Sequence, residues 1–129
     1  MTFSVDIVAA TKQNTFFRQV LSTGPNAQVV VMSIPPGGEI GEEVHDHVDQ
    51  VLAFVDGSGV AILEGSERVV GPDRLVHVPA GMRHNVVNRG TTDLRLYTVY
   101  APPQHAQGTI HRTKAEADAD EADHFVKPV

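Results

Sequence analysis

The sequence predicts an all-β fold, an antiparallel sandwich or barrel, on three observations. Between Gln28 and Tyr100 the chain is a series of short apolar runs rich in β-branched residues. Each run ends at a cluster of Gly, Pro, Asp, Asn or Ser. No stretch in this interval sustains the 3.6-residue period of a long helix.

The first run, Val29 to Ile34, stops at Pro35-Pro36-Gly37-Gly38. The second, Val51 to Val55, stops at Asp56-Gly57-Ser58-Gly59, and Val60 to Leu63 follows at once. Glu64-Gly65-Ser66 has the composition of a hairpin turn before Arg68-Val69-Val70. After Gly71-Pro72-Asp73 come Leu75 to Val78, then Pro79-Ala80-Gly81, then His84 to Val87. Asn88-Arg89-Gly90 separates these from the last run, Leu94 to Tyr100, which Pro102-Pro103 terminates. Leu52, Phe54 and Met32 read as barrel lining. Residues 11–22 carry Phe16, Phe17, Val20 and Leu21 and are expected to form an edge strand or to cover one end of the barrel. Thr113-Lys114-Ala115-Glu116 has the spacing of a capping box before an Ala/Asp/Glu run without an apolar face, so a short exposed helix or a disordered tail is expected. The chain thus divides into a barrel at residues 1–112 and an acidic tail at 113–129.

At 129 residues the chain has room for one domain. Cysteine is absent, which removes disulfides, thiolate nucleophiles and thiolate metal ligands. The net charge of −6 argues against a nucleic-acid partner. Five of the sixteen acids (Glu116, Asp118, Asp120, Glu121 and Asp123) fall in the tail, so the barrel itself is nearer neutral. No apolar run approaches the roughly 20 residues of a membrane span. The stretch Met1 to Asp6 lacks the basic and apolar regions of a signal peptide, and the expected location is the cytoplasm. Neither a Walker-type phosphate loop nor a Gly-x-Ser-x-Gly elbow occurs, which gives no support to a serine hydrolase.

Of the seven histidines, the informative ones are informative by position. Glu43, His45 and His47 alternate, so a strand would project all three from one face. His84 follows the Pro79-Ala80-Gly81 turn. Imidazoles brought together from separate strands, with a carboxylate between them, suit a divalent first-row metal.

The spacing around these residues resembles that of the cupin family. Gly37, five residues, Glu43, one residue, His45, four residues, Gln50, six residues and Gly57 follow the pattern of the first cupin motif. Pro79-x-Gly81-x-x-His84-x-x-x-Asn88 matches the second. The stretches Ile40 to Gln50 and Leu96 to Pro103 look like a subgroup of small bacterial cupins labelled mannose-6-phosphate-isomerase-like. The resemblance implies a double-stranded β-helix, or jelly-roll barrel. It also implies one divalent metal (zinc, nickel, iron or manganese) on Glu43, His45, Gln50 and His84. Two positions depart from the family pattern: Glu43 stands where a histidine is usual, and Gln50 where a glutamate is usual. One carboxylate is retained but displaced. A rival register pairs His45 with His47 and leaves only two residues before Gln50, so the first register is preferred and His47 falls at the pocket rim or in the loop. A small organic ligand or substrate is expected, turned over in a dioxygenase, isomerase or lyase reaction. The alternative is a non-enzymatic binding or sensing barrel with a weak or empty metal site. Cupins of this size also commonly pair as homodimers through sheet edges or an N-terminal strand, with which Phe16 to Leu21 is compatible.

Among the remaining candidates, His77 is expected to be a packed or hydrogen-bonded strand residue. Asn88 is expected to fix a turn. Tyr97 and Tyr100 differ in parity, so one of them faces the barrel interior. The segment that carries His105 and His111 reads as a loop by itself, but the subgroup resemblance implies that it is ordered beside the barrel.

Overall fold

A computed structural model describes residues 2–127. It contains helix α1 (Ile7–Gln13) and strands β1 (Arg18–Thr23), β2 (Gln28–Ile34), β3 (Asp49–Asp56), β4 (Gly59–Leu63) and β5 (Ser66–Val70). Strands β6 (Leu75–Val78), β7 (His84–Val87), β8 (Leu94–Ala101) and β9 (Ile110–His111) follow, and helix α2 (Lys114–Ala119) comes last. Six strands form one sheet in the order β6-β3-β8-β2-β1-β9, and three form the other in the order β5-β4-β7. Every pairing is antiparallel. Isolated bridges from Glu39 to Val87 and from Glu43 to His84 lay residues 39–43 along the open edge of β7. The result is the expected jelly roll.

Alternation along each strand sets which side chains meet inside. On β8, Leu94, Leu96, Thr98 and Tyr100 are buried while Arg95, Tyr97 and Val99 turn outward. Register then stacks these residues in rows across the large sheet. One row runs Phe54, Leu96, Met32, Arg18 and His111, and the next runs Leu52, Thr98, Val30 and Val20. A third, at one end of the barrel, runs Gln50, Tyr100 and Gln28. The apolar members of the first two rows hold the fold together. Met32, Ile34, Leu94 and Leu96 are fully buried, and cutting any one to Ala would cost about 2–5 kcal/mol. The polar row sits next to the candidate site.

Phe17 and Val20 of the N-terminal stretch are buried in the core, and β1 is an interior strand between β2 and β9. Helix α1 packs on the outer face of the large sheet, against β8, β3 and β2. It is capped by Asp6, whose carboxylate accepts from Ala9 N at 3.0 Å. The C-terminal segment forms α2, with Thr113 as its cap. In that helix Glu116 accepts from Arg112 N at 2.9 Å. No residue of α2 is buried, but the chain beyond it returns to the barrel, as shown below. Among the described residues no helix is long and apolar enough to cross a membrane.

Candidate metal centre

Glu43 and His84 are joined by a reciprocal pair of backbone hydrogen bonds. Glu43 N donates to His84 O at 2.8 Å, and His84 N donates to Glu43 O at 2.9 Å. The backbone of His45 is fixed from the same side, since Gly81 N donates to His45 O at 2.8 Å. Gly81 adopts φ +85 there, a conformation that favours glycine. Two regions distant in sequence are thereby locked together. One donor atom each from Glu43, His45 and His84 falls within 4.8 Å of the others. The two imidazole centroids lie 5.3 Å apart at an interplanar angle of 54°.

The hydrogen-bond partners leave these atoms free to ligate. His84 Nδ1 is 3.0 Å from Met82 O. A carbonyl only accepts, so Nδ1 carries the proton and Nε2 offers its lone pair. His45 Nε2 lies 2.9 Å from Glu43 Oε2, but the alignment is too poor for a hydrogen bond, and His45 Nε2 has no partner. Burial by itself would raise the Glu43 carboxyl. The contact and charge of His45, with the charges of Arg18 and His84, outweigh it and hold that carboxyl below its ordinary value. Gln50 is buried, and its Nε2 donates to Thr98 Oγ1 at 3.0 Å while its Oε1 has no partner. Two neutral imidazoles, a carboxylate and an amide carbonyl fit a divalent first-row ion. The bound ion would retain a net charge near plus one.

His47 is not brought into this group. Asp46 and His47 form a turn, which interrupts the strand-like alternation and leaves His47 exposed. His77 is likewise exposed, 3.6 Å from Asp49 Oδ2, rather than packed in the core. Asn88 is fully buried and ties a turn together: Nδ2 donates to Ile34 O and Thr92 O, both at 2.8 Å, and Oδ1 accepts from Gly90 N at 2.9 Å.

Of the two tyrosines, Tyr100 is the inward one. Its ring meets His45 edge-on at 6.1 Å and His105 edge-on at 4.9 Å. Burial raises its hydroxyl well above the ordinary value, an effect that the charge of Arg18 opposes. Arg18 itself escaped the sequence reading. It is 5% exposed and faces inward with Val20. Its Nη1 is 3.3 Å from His111 Nδ1. Arginine only donates, so His111 accepts at Nδ1 and carries its proton on Nε2, which donates to Asp120 Oδ2 at 2.9 Å. The one available signal was parity: Arg18 stands two residues before Val20, in phase with the buried side of β1.

A second clasp comes from the same acidic segment. His105 Nδ1 donates to Asp123 Oδ2 at 2.7 Å. Asp123 Oδ1 accepts from Ala106 N at 2.8 Å and from Thr109 Oγ1 at 3.1 Å. Among the described residues, five buried side-chain atoms lack a hydrogen-bond partner. Four of them, Arg18 Nε, His45 Nε2, Gln50 Oε1 and His105 Nε2, belong to the interior polar set, and the fifth is on the outward-facing Arg95. So concentrated a failure of satisfaction is what a binding site, rather than a sealed core, is expected to show. The more voluminous hollows, of about 440 Å³ beside α1 and about 480 Å³ beside Phe125, lie on the outside and carry no such set.

Comparison with known proteins agrees with this geometry. The cupin domain model matches residues 30–100. The uncharacterized protein YrkC of Bacillus subtilis is 47% identical over 125 residues, which span 92% of this chain and 67% of that protein. The crystal structure of BH2720 from Bacillus halodurans superposes with a TM-score of 0.91 at 43% identity, over 92% of this chain and 95% of that one. KdgF from a Halomonas species shares the fold alone, with a TM-score of 0.64 at 22% identity over 67% of this chain and 78% of its own. With the matched span exceeding half the chain and both sheets of the jelly roll in place, the chain belongs to the cupin family.

Proposed function

We propose that Glu43, His45, Gln50 and His84 hold one divalent metal ion, and that the barrel uses it to bind and transform a small organic molecule. The observation that carries this reading is the convergence of three donor atoms within 4.8 Å. The unpartnered His45 Nε2 and Gln50 Oε1 support it. When bound, zinc, nickel, iron or manganese would polarise a substrate oxygen, and the redox-active ions would also engage dioxygen. Dioxygenase, isomerase and lyase chemistry are all compatible with that capacity. The chain's own residues orient the ligands: Met82 O fixes the His84 tautomer, and Gly81 fixes the His45 backbone.

The test is elemental analysis of protein purified without chelator or metal-scavenging tag, wild type beside His84→Ala. Near-stoichiometric metal in the wild type, lost in a variant with unchanged circular dichroism, is the expected result. Stoichiometric metal retained in His84→Ala would sink the assignment.

Gln50 favours a second reading, a non-enzymatic barrel that senses a small ligand. An amide binds metal more weakly than a carboxylate and has no acid–base capacity. Product formation from small organic molecules with any of the four metals would exclude it. We further propose homodimers through the free edge of β6, where Leu75 is 61% exposed. A monomeric mass at micromolar concentration by light scattering would refute this.

A further inference from the structure

We infer that Arg18 anchors a carboxylate group of the molecule bound beside Glu43, His45 and His84, so that the ligands of this barrel are small organic anions. The inference rests on the proposed metal centre for its location, but its test does not depend on metal.

A buried guanidinium is costly unless an anion or several acceptors satisfy it. Arg18 is 5% exposed, and among the described residues no carboxylate lies close enough to pair with it. Its Nη1 is 3.3 Å from a neutral imidazole nitrogen, that of His111, and its guanidinium lies beside the Tyr100 hydroxyl and 5.3 Å from the centroid of the Phe17 ring, none of which carries a negative charge. Asp120 holds that imidazole in turn, so Nη1 is fixed in place. The Nε side of the fork is left without a partner. A planar guanidinium edge without an acceptor is the shape that takes a carboxylate through two parallel N–H bonds.

Arg18 is also in the right neighbourhood. Its guanidinium lies beside the Tyr100 hydroxyl, and the Tyr100 ring borders His45 at 6.1 Å. The metal centre would carry a net charge near plus one, and Arg18 adds another. A monocarboxylate spanning the two would offset one of these charges and a dicarboxylate both, whereas a neutral molecule of the same size would offset neither. The Asp120–His111–Arg18 chain gives the tail a positioning role toward the ligand.

Isothermal titration calorimetry tests this with pyruvate, lactate and oxalate as probes, against acetamide and glycerol as neutral counterparts and against inorganic phosphate. Wild type, Arg18→Gln and Arg18→Lys are titrated both metal-free and manganese-loaded, with metal content and thermal midpoint measured alongside. At least one carboxylate is expected to bind. Its affinity should fall at least tenfold in Arg18→Gln and be partly restored in Arg18→Lys, with metal content unchanged.

Equal carboxylate affinity in Arg18→Gln would overturn the inference, as would neutral probes or phosphate binding better than every carboxylate. The competing role for Arg18 is that of counter-charge to Glu43. Metal loss in Arg18→Gln with carboxylate affinity retained would establish that role and overturn ours. Should Arg18→Gln fail to fold, the comparison of anionic with neutral probes on wild type still decides. Arg18-dependent carboxylate binding in a wild type that takes up no metal would uphold the anchor while the metal reading failed.

Discussion

Asn88 shows how much one side chain settles in this barrel. Its amide satisfies three backbone groups, one at the end of β2 and two in the loop before β8, with no exposure to water. Asn88→Ala strands those groups, and we expect a loss of about 3 kcal/mol, read as a lower midpoint in urea denaturation with the slope unchanged. Gln50 supports the opposite kind of prediction. Gln50→Glu places a carboxylate where the amide Oε1 lacks a partner, and Thr98 Oγ1 can donate to it as readily as accept. Metal should bind on the order of tenfold tighter in the variant, measured by competition with a chromophoric chelator. Weaker binding would place Gln50 outside the coordination sphere. At this scale Glu43, His45, Gln50, His84 and Asn88 were readable as candidates because their spacing is itself a pattern. Arg18 was not, because a charged residue on a strand reads as solvent-facing until its neighbours' burial is known. His47 misled for a related reason: alternation implies a shared face only where the strand continues, and here it turns.

At the level of elements, the glycine-rich connection between β3 and β4 is sterically closed. A Cβ at Gly57 would collide with the Asp93 carbonyl oxygen, and its φ of +82 disfavours any other residue. At Gly59 a Cβ would come within 2.5 Å of Val87 O, which is backbone and cannot step aside. Gly59→Ala should therefore lower the thermal midpoint by several degrees, whereas Gly65→Ala meets only backbone strain, with nothing within 4 Å. Comparable losses at the two sites would contradict the packing argument. The strands were legible because their period and their turns agreed. Helix α1 was not, since its seven residues are too few to display an apolar face convincingly and only Thr11 is buried. The C-terminal clasps were also hidden, because Asp120 and Asp123 look in sequence like any other acids in an acidic run.

For the molecule as a whole, the buried His105–Asp123 pair sets the response to acid. Burial lowers the His105 value below its ordinary 6.5. Protonation would also place an N–H on Nε2, where no acceptor is present. Asp123 is desolvated too, but His105, Ala106 and Thr109 donate to its carboxylate and hold it far below its ordinary 3.8. In both cases the unfolded chain takes up a proton at a higher pH than the folded one, so acidification favours unfolding. The stabilisation that His105 contributes is complete above about pH 6.5 and diminishes below it. That of Asp123 persists until the pH drops below about 3.9 and is then lost toward its much lower folded value. Scanning calorimetry from pH 7.5 to 3 on metal-free protein should show a midpoint that declines gently from pH 6.5 and steeply below pH 4 (roughly the reference values of the two groups). His105→Gln should flatten the upper part of the profile. Asp123→Asn should flatten the lower part, and it should cost about 2 kcal/mol at neutral pH through hydrogen bonds lost to a poorer acceptor. A wild-type midpoint that stays level between pH 7 and 5 would mean that His105 titrates alike in the folded and unfolded chains. In that event its burial beside Tyr100, and with it the coupling of the acidic tail to the barrel interior, would need to be reassigned.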